Sequence, residues 1–282
     1  MMVSFNSGNK WYPGEGKVYI IHGSYNTIHP LSNDRVVFYE KYNPALPGNV
    51  WASYPQICAL YYNFKQEFSF IYRYFYNASN NPLNRIVQDV ESIGDYVVLL
   101  TFLGEVMIYG DHGTEYISAT PLPESDVISV AFPTKTTGFV GSSKGKLLRT
   151  DDGNNSWETI LADPHEPAIV EISFFDEKLG FALTNTNVLY RTVDGGENWS
   201  KITLPHRSQK EDIYHMVKKR VVMVDALRGF TNYDKEVFET VDGGLTWTRS
   251  LRIGNTTVNA ISYDMKGHLW AVTTRGLIKV EL

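Results

Sequence analysis

Three aspartates recur at one place in a repeated pattern. Asp152, Asp194 and Asp242 each sit in an eight-residue stretch of the form Thr-x-Asp-x-Gly-x-x-Trp, running from Thr150 to Trp157, Thr192 to Trp199 and Thr240 to Trp247, with Asn154 at the first glycine position. A carboxylate repeated in this way could hold a ligand, or it could accept backbone N–H groups of its own tight turn, as Asp and Thr side chains do. The surrounding residues favour the turn. The glycine supplies a positive φ, a conformation that asparagine tolerates better than most residues, so Asn154 fits the same place. The tryptophan then opens the next strand and brings a large ring to bury. These aspartates are therefore expected to be staples of the fold.

Other residues could do different chemistry. His165 and His206, with Asp163, could converge on a metal, but zinc sites normally need three or four defined ligands. Both histidines stand beside proline in polar loops, so no metal and no cofactor is expected. Glu124, Asp126, Asp163, Glu166, Glu211 and Asp212 fall in one class of loop. A pair of them could act as the two carboxylates of a glycosidase. Solvated acidic loops are the plainer reading.

These residues sit in a repeating frame. Thr150, Thr192 and Thr240 are spaced 42 and 48 residues apart, a period that signals stacked supersecondary units. Tyr109 to Tyr116, with Asp111, fits the same turn with tyrosines for Thr and Trp, and Ser4 to Trp11 fits it with Asn6 for Asp. Between the turns lie short runs rich in β-branched and aromatic residues, which read as strands. No segment shows a helical period.

The eight-residue pattern resembles the Asp-box, or BNR repeat, of sialidase-like β-propellers, sortilin-type receptors and photosystem II assembly factors. The resemblance implies one all-β domain over residues 1–282, built from four-stranded blades with a box in each third hairpin. Six blades are expected, or seven if residues 57–83 form one of their own. Gly48-x-x-Trp51 is read as the remnant of the first box. The segment Leu277 to Leu282 reads as the strand before a box, so the N-terminal residues 4–16 are expected to pair with residues 277–282 and complete the last blade, which would leave no free sheet edge. In blade five, residues 213–218 and 221–224 are read as the first two strands and residues 225–235 as a long loop. Residues 57–76 form an aromatic hairpin containing Tyr72 and Tyr74, an insertion or a packed part of a blade.

The fold alone does not give the function. The sialidase resemblance implies three arginines gripping a carboxylate, a Tyr–Glu pair and an aspartic acid; eleven arginines are present, yet no such triad can be assigned. An enzyme is the less favoured reading. The net charge of −5 and pI near 5.8 argue against a nucleic-acid binder, which would carry a basic face. The single cysteine, Cys58, permits no internal disulfide. No signal-peptide pattern and no run of about 20 apolar residues is visible, so a cytoplasmic protein without membrane insertion is expected.

The expected role is a non-catalytic, protein-binding propeller acting as a scaffold, inhibitor or recognition module. One version is an immunity protein that caps a bacterial toxin; the alternative is a glycan-binding or glycan-hydrolysing protein. The expected partner surface is the face opposite the boxes, gathering His165, His206, Arg207, Arg228, Phe230, Tyr233 and Arg275, with Tyr72 and Tyr74 as the competing site.

Overall fold

The computed structural model describes residues 2–4, 11–13, 27–32, 35–39, 57–62, 70–74 and 78–79, and from Val87 onward all residues except 111–114, 163–166, 187, 206–220, 234, 255, 264–266, 274 and 281–282. Among the described residues every regular element is a strand. The chain divides into two compact units, residues 24–215 and a unit joining residues 1–23 to 216–282.

The first residues form a hairpin of β1 (Met2–Ser4) and β2 (Trp11–Pro13). Residues 24–215 hold four antiparallel sheets, each a four-stranded meander. They are β3 (Thr27–Ser32), β4 (Arg35–Tyr39), β5 (Ile57–Tyr62) and β6 (Phe70–Tyr74); β7 (Val87–Ile93), β8 (Tyr96–Thr101), β9 (Glu105–Gly110) and β10 (Glu115–Pro121); β11 (Val127–Ala131), β12 (Gly138–Ser142), β13 (Lys146–Thr150) and β14 (Glu158–Ala162); and β15 (Ile169–Phe174), β16 (Gly180–Thr184), β17 (Val188–Thr192) and β18 (Ser200–Thr203). The other unit continues with a four-stranded sheet of β19 (Val221–Met223), β20 (Gly229–Tyr233), β21 (Glu236–Thr240) and β22 (Thr248–Arg252), then a three-stranded sheet of β23 (Val258–Tyr263), β24 (Leu269–Thr273) and β25 (Gly276–Val280).

Burial follows strand position. The second strands β12 and β16 are buried at every residue, whereas the outer strand β22 is exposed at every residue. Central strands covered on both faces read as near-continuous apolar runs such as Gly138-Phe139-Val140 and Gly180-Phe181-Ala182. The glycine that opens each run is a packing requirement. A Cβ on Gly138 would lie 2.4 Å from the Phe132 ring, and one on Gly180 would lie 2.4 Å from Phe174. The aromatic residue at the end of the first strand thus lies across the start of the second.

Two expectations are corrected. Residues 225–235 are not one loop: Gly229–Tyr233 is the second strand of its sheet, paired with β19 and β21. Residues 221–223 are the first strand rather than the second; residues 213–218 lie outside the described residues. The reason is packing, since Gly229 sits against Met223 as Gly138 does against Phe132, and Phe230 is fully buried. The second correction concerns the N-terminus. Among the described residues Trp11–Pro13 pairs with Met2–Ser4, and the strand Gly276–Val280 pairs with Leu269–Thr273. Ser4 stands opposite Trp11, which is the register Thr192 and Trp199 continue from the pair Arg191 and Ser200. The N-terminal box therefore has its third strand beside it in sequence, and a short local connection closes at lower entropic cost than a pairing across the whole chain. The aromatic runs 57–62 and 70–74 are the third and fourth strands of the first four-stranded sheet, with Leu60 opposite Tyr72 and Cys58 opposite Tyr74. Gly48 to Trp51 lies outside the described residues.

The box turns are closed hydrogen-bonded units. Thr192 Oγ1 donates to Asp194 Oδ1 at 2.8 Å and accepts the N–H of Gly196 at 2.8 Å, while Asp194 Oδ1 accepts the N–H of Asn198 at 3.0 Å. Thr240 and Asp242 repeat these contacts with Gly244 and Thr246, and Thr150 and Asp152 repeat them with Asn154, Asn155 and Ser156. Trp199 and Trp247 each donate from Nε1 to the glycine carbonyl at 3.1 Å. At the turn after Tyr109, Tyr109 stands opposite Tyr116 with their rings edge-on at 5.7 Å. Asp111 and Asn6 lie outside the described residues.

The turns at Asn154 and Gly196 are also where neighbouring sheets meet. Gly196 has φ 87°, and a Cβ there would lie 2.3 Å from the ring of Phe139 in the preceding sheet. Phe139 in turn stacks on Phe174 at 5.1 Å and meets Trp199 edge-on at 5.7 Å. The equivalent residue one sheet earlier is Asn154, φ 82° and fully buried. Its Nδ2 donates to Val106 O at 3.0 Å and to Ser118 Oγ at 3.2 Å, both in the preceding sheet, and its Oδ1 accepts from Trp157 Nε1 at 2.9 Å. The register Val97–Tyr109 corresponds to Gly138–Thr150, so the counterpart of Phe139 in that preceding sheet is Val98. The smaller valine goes with asparagine, the larger phenylalanine with glycine.

This exchange makes a prediction. Val98→Phe alone should overpack, and Asn154→Gly alone should lose buried hydrogen bonds, each costing about 1–3 kcal/mol. The double variant should recover at least about 1 kcal/mol of the summed loss in a denaturation cycle; strict additivity would refute the pairing. A second prediction concerns acid. The carboxyl groups of Asp152, Asp194 and Asp242 are held down to about 2, chiefly by hydrogen bonds from Ser156, Asn198 and Thr246 respectively. A carboxylate depressed in the folded state gives stability that is present above its unfolded value near 4 and is lost as pH falls toward about 2. Melting temperature should be level across this contribution from neutral pH to about pH 4 and then fall. In the triple Asn variant that acid limb should be shallower.

Candidate functional site

With the box carboxylates turned into their own loops, the remaining candidates are charged and apolar groups at the two ends of the sheets. One end carries the boxes and the loops between first and second strands, because the box turn bonds those loops: Gly153 N–H to Thr136 O, Gly195 N–H to Lys178 O and Gly243 N–H to Leu227 O, at 2.9, 3.1 and 2.8 Å. The other end carries the loops between second and third strands and those leading to the next sheet.

The residues expected to share one face are divided between these ends. Arg228 stands in the loop before β20, on the box end, where its Nε donates to Glu239 Oε1 at 2.7 Å and its guanidinium lies 5.3 Å from the centre of the Phe230 ring. Phe230 belongs to the core at 0% exposure and presents nothing to a partner. Tyr233 closes β20 at the opposite end, and the exposed Arg275 lies in the turn between β24 and β25 at the same type of end. His165, His206 and Arg207 lie outside the described residues, as do Asp163, Glu166, Glu211 and Asp212. Tyr72 and Tyr74 are placed by strand register alone. The structure thus does not unite Arg228 with Tyr233 and Arg275.

Two acidic residues of the end opposite the boxes, Glu124 and Asp126, have lysine partners. Lys146 bonds Glu124 at 2.5 Å and Lys144 pairs with Asp126. A hydrolytic acid–base pair has to exchange protons with substrate, whereas these carboxylates act as counter-ions within their loops. Among the described residues no group of three or more His, Cys, Asp or Glu side chains is arranged to hold a metal. No helix there is long and apolar enough to cross a membrane.

Sequence reasoning missed the box end as a surface. Asp225 Oδ1 accepts the N–H groups of Leu227 and Arg228, both at 2.7 Å, and these bonds hold its carboxyl below the usual carboxylate range. Around that turn Leu227, Val241 and Leu245 are 61, 69 and 55% exposed. The signal was in the sequence. Gly229-Phe230 matches Gly138-Phe139 and Gly180-Phe181, and reading it as a second strand would have placed Leu227 on the box end.

Comparison with known proteins gives the same architecture. No curated protein matches the sequence. Among solved structures, the chain is similar to YCF48 bound to a D1 peptide, with 19% identity and a TM-score of 0.51 over 66% of this chain and 61% of that one. It therefore spans about three fifths of that protein's length. It is also similar to the extracellular domain of the hybrid two component system BT4673 from B. thetaiotaomicron, with 15% identity and a TM-score of 0.63 over 92% of this chain and 32% of that one. A third likeness is to an ancestral GH74 enzyme, with 17% identity and a TM-score of 0.53 over 69% and 31% of the two chains. At these identities the likeness shows the β-propeller fold and no shared activity. The family model described as photosynthesis system II assembly factor YCF48 matches residues 117–278, more than half of the sequence, and the chain belongs to that family.

Proposed function

We propose that this chain is a non-catalytic β-propeller that binds a polypeptide and serves in recognition or assembly. The observation that carries the reading is the match of residues 117–278 to an assembly-factor family, over the segment where the boxes and their turns are fully formed. The structural likeness to a member bound to a D1 peptide supports a peptide as the kind of ligand. The chemistry of the described residues agrees with this. Their box carboxylates are taken up by turn hydrogen bonds, and Glu124 and Asp126 serve lysines.

Binding of a labelled D1 peptide, followed by fluorescence anisotropy, tests the proposal. Saturable binding is expected, together with no turnover of a chromogenic sialoside. Glycoside hydrolysis that is lost in Glu124→Gln would overturn the non-catalytic reading, and the absence of any peptide affinity would remove the family-based one.

A further inference from the structure

Three equivalent positions of the box turns are aliphatic together only in the sheet β19–β22, among the described box turns at Thr150, Thr192 and Thr240. The residue between Thr and Asp is Asp151, Val193 or Val241; the residue directly after Asn154, Gly196 or Gly244, two before the Trp, is Asn155, Glu197 or Leu245. The loop residue whose carbonyl accepts from the turn is Thr136, Lys178 or Leu227. In the sheet β11–β14 all three are polar, and in the sheet β15–β18 two are charged. In the sheet β19–β22 all three are aliphatic and 55–69% exposed.

None of the three is needed by the turn. The hydrogen bonds come from Thr240, Asp242 and Thr246, and the same geometry stands on Asp151 and Asn155 in the sheet β11–β14. Scattered surface leucines are ordinary, but aliphatic side chains gathered on one turn mark an interaction site. The bond from Gly243 N–H to Leu227 O, 2.8 Å, brings the loop carrying Leu227 against the turn carrying Val241 and Leu245.

The charges beside this patch give the partner its chemistry. Asp225 caps the loop of Leu227, and Asp242 caps the turn of Leu245; both carboxyls are held below their ordinary range by hydrogen bonds, that of Asp242 at about 2. Within this sheet, Arg228 is engaged by Glu239 and Arg249 by Glu236. The aliphatic tip is thus flanked by two fixed negative charges.

We propose that Leu227, Val241 and Leu245 form a docking tip for a polypeptide segment that sets aliphatic or aromatic side chains beside lysine or arginine. The inference rests on the protein-binding reading above and names its surface. Apolar contact would give affinity, and Asp225 and Asp242 would select the flanking cations.

The test uses the full chain and two fluorescent probe peptides, one alternating leucine with lysine and one alternating leucine with glutamate. The lysine peptide should bind, more weakly as salt rises, and the glutamate peptide should not. The variant Leu227→Ser/Val241→Ser/Leu245→Ser should keep its melting temperature and lose affinity for the lysine peptide by roughly tenfold or more. Asp225→Asn, which keeps the turn's acceptor oxygen, should weaken binding and flatten its salt dependence. Unchanged affinity in the triple serine variant, or equal binding of both peptides, would overturn the proposal. If the parent binds the D1 peptide but shows no preference for the lysine probe over the glutamate probe, the tip is wrong and the protein-binding reading stands. If the parent binds neither probe nor D1 peptide, both fall. Binding to neutral phosphatidylcholine vesicles that disappears in the serine variant would replace the polypeptide with a lipid surface and likewise overturn it.

Discussion

The threonine hydroxyl of each box holds two things together. It donates to the aspartate and accepts the N–H of the residue with positive φ, so at Thr150 and Thr192 the turn cannot close without presenting that residue to the sheet before it. At Gly196 the surface presented is bare backbone against Phe139. At Asn154 it is an amide that reaches Val106 and Ser118. Turn formation and sheet-to-sheet packing are thus one event, and the tryptophan, bonded to the same residue of the turn, locks the outer strand to it.

The repeats conserve this arrangement by exchanging parts. A second contact shows the same habit. Ser129 Oγ donates to Ile169 O at 3.3 Å, tying one first strand to the start of the next; in the other unit Asn232 Nδ2 donates to Val258 O at 3.0 Å. Both bonds end on the carbonyl of the residue that opens a first strand, but the donor comes from the first strand in one case and from the second strand in the other. A glycine opposite the serine, Gly141, leaves room for it: a Cβ there would lie 2.7 Å from Ser129 Oγ. Buried carbonyls must be satisfied, and the chain meets that demand from whichever strand has the space.

Legibility in the sequence followed this logic. The boxes were readable because a turn of fixed geometry admits few residues at Thr, Asp, Gly and Trp, and they located third and fourth strands correctly at Thr150, Thr192 and Thr240. The first two strands of the sheet β19–β22 were misplaced because β-branched runs and loops with occasional aromatics look alike; only the Gly-Phe step, imposed by packing against Met223, separates them. The ends of the N-terminal pattern, Ser4 and Trp11, stand opposite each other in the local hairpin of Met2–Ser4 and Trp11–Pro13, whereas the partner strand was expected at the far end of the chain. The candidate site fared worse. Arg228 and Tyr233 are five positions apart in sequence, yet β20 runs between them and carries them to opposite ends of one sheet. No spacing rule reveals that until the strand itself is recognised.

The same division explains why the surface of a box turn can change without harm to the fold. Four of its eight positions are fixed by hydrogen bonding, φ or burial. The position between Thr and Asp, and the one after the positive-φ residue, make no demand on their side chains, and they face solvent as Asp151 and Asn155, as Val193 and Glu197, and as Val241 and Leu245. Where they act structurally they do so in different ways: Asn155 Nδ2 donates to Asp152 O within its own turn at 2.6 Å, whereas Glu197 receives Arg149 from the sheet before, which also holds Asp151. In the sheet β19–β22 the same two places are aliphatic, so no ion pair can form there and the side chains remain in water. That exposure costs the folded state little, since a surface leucine is about as exposed in the unfolded chain. What it provides is apolar area mounted on a turn that four hydrogen-bonded side chains keep rigid, and a rigid mount lowers the ordering cost of any contact made there.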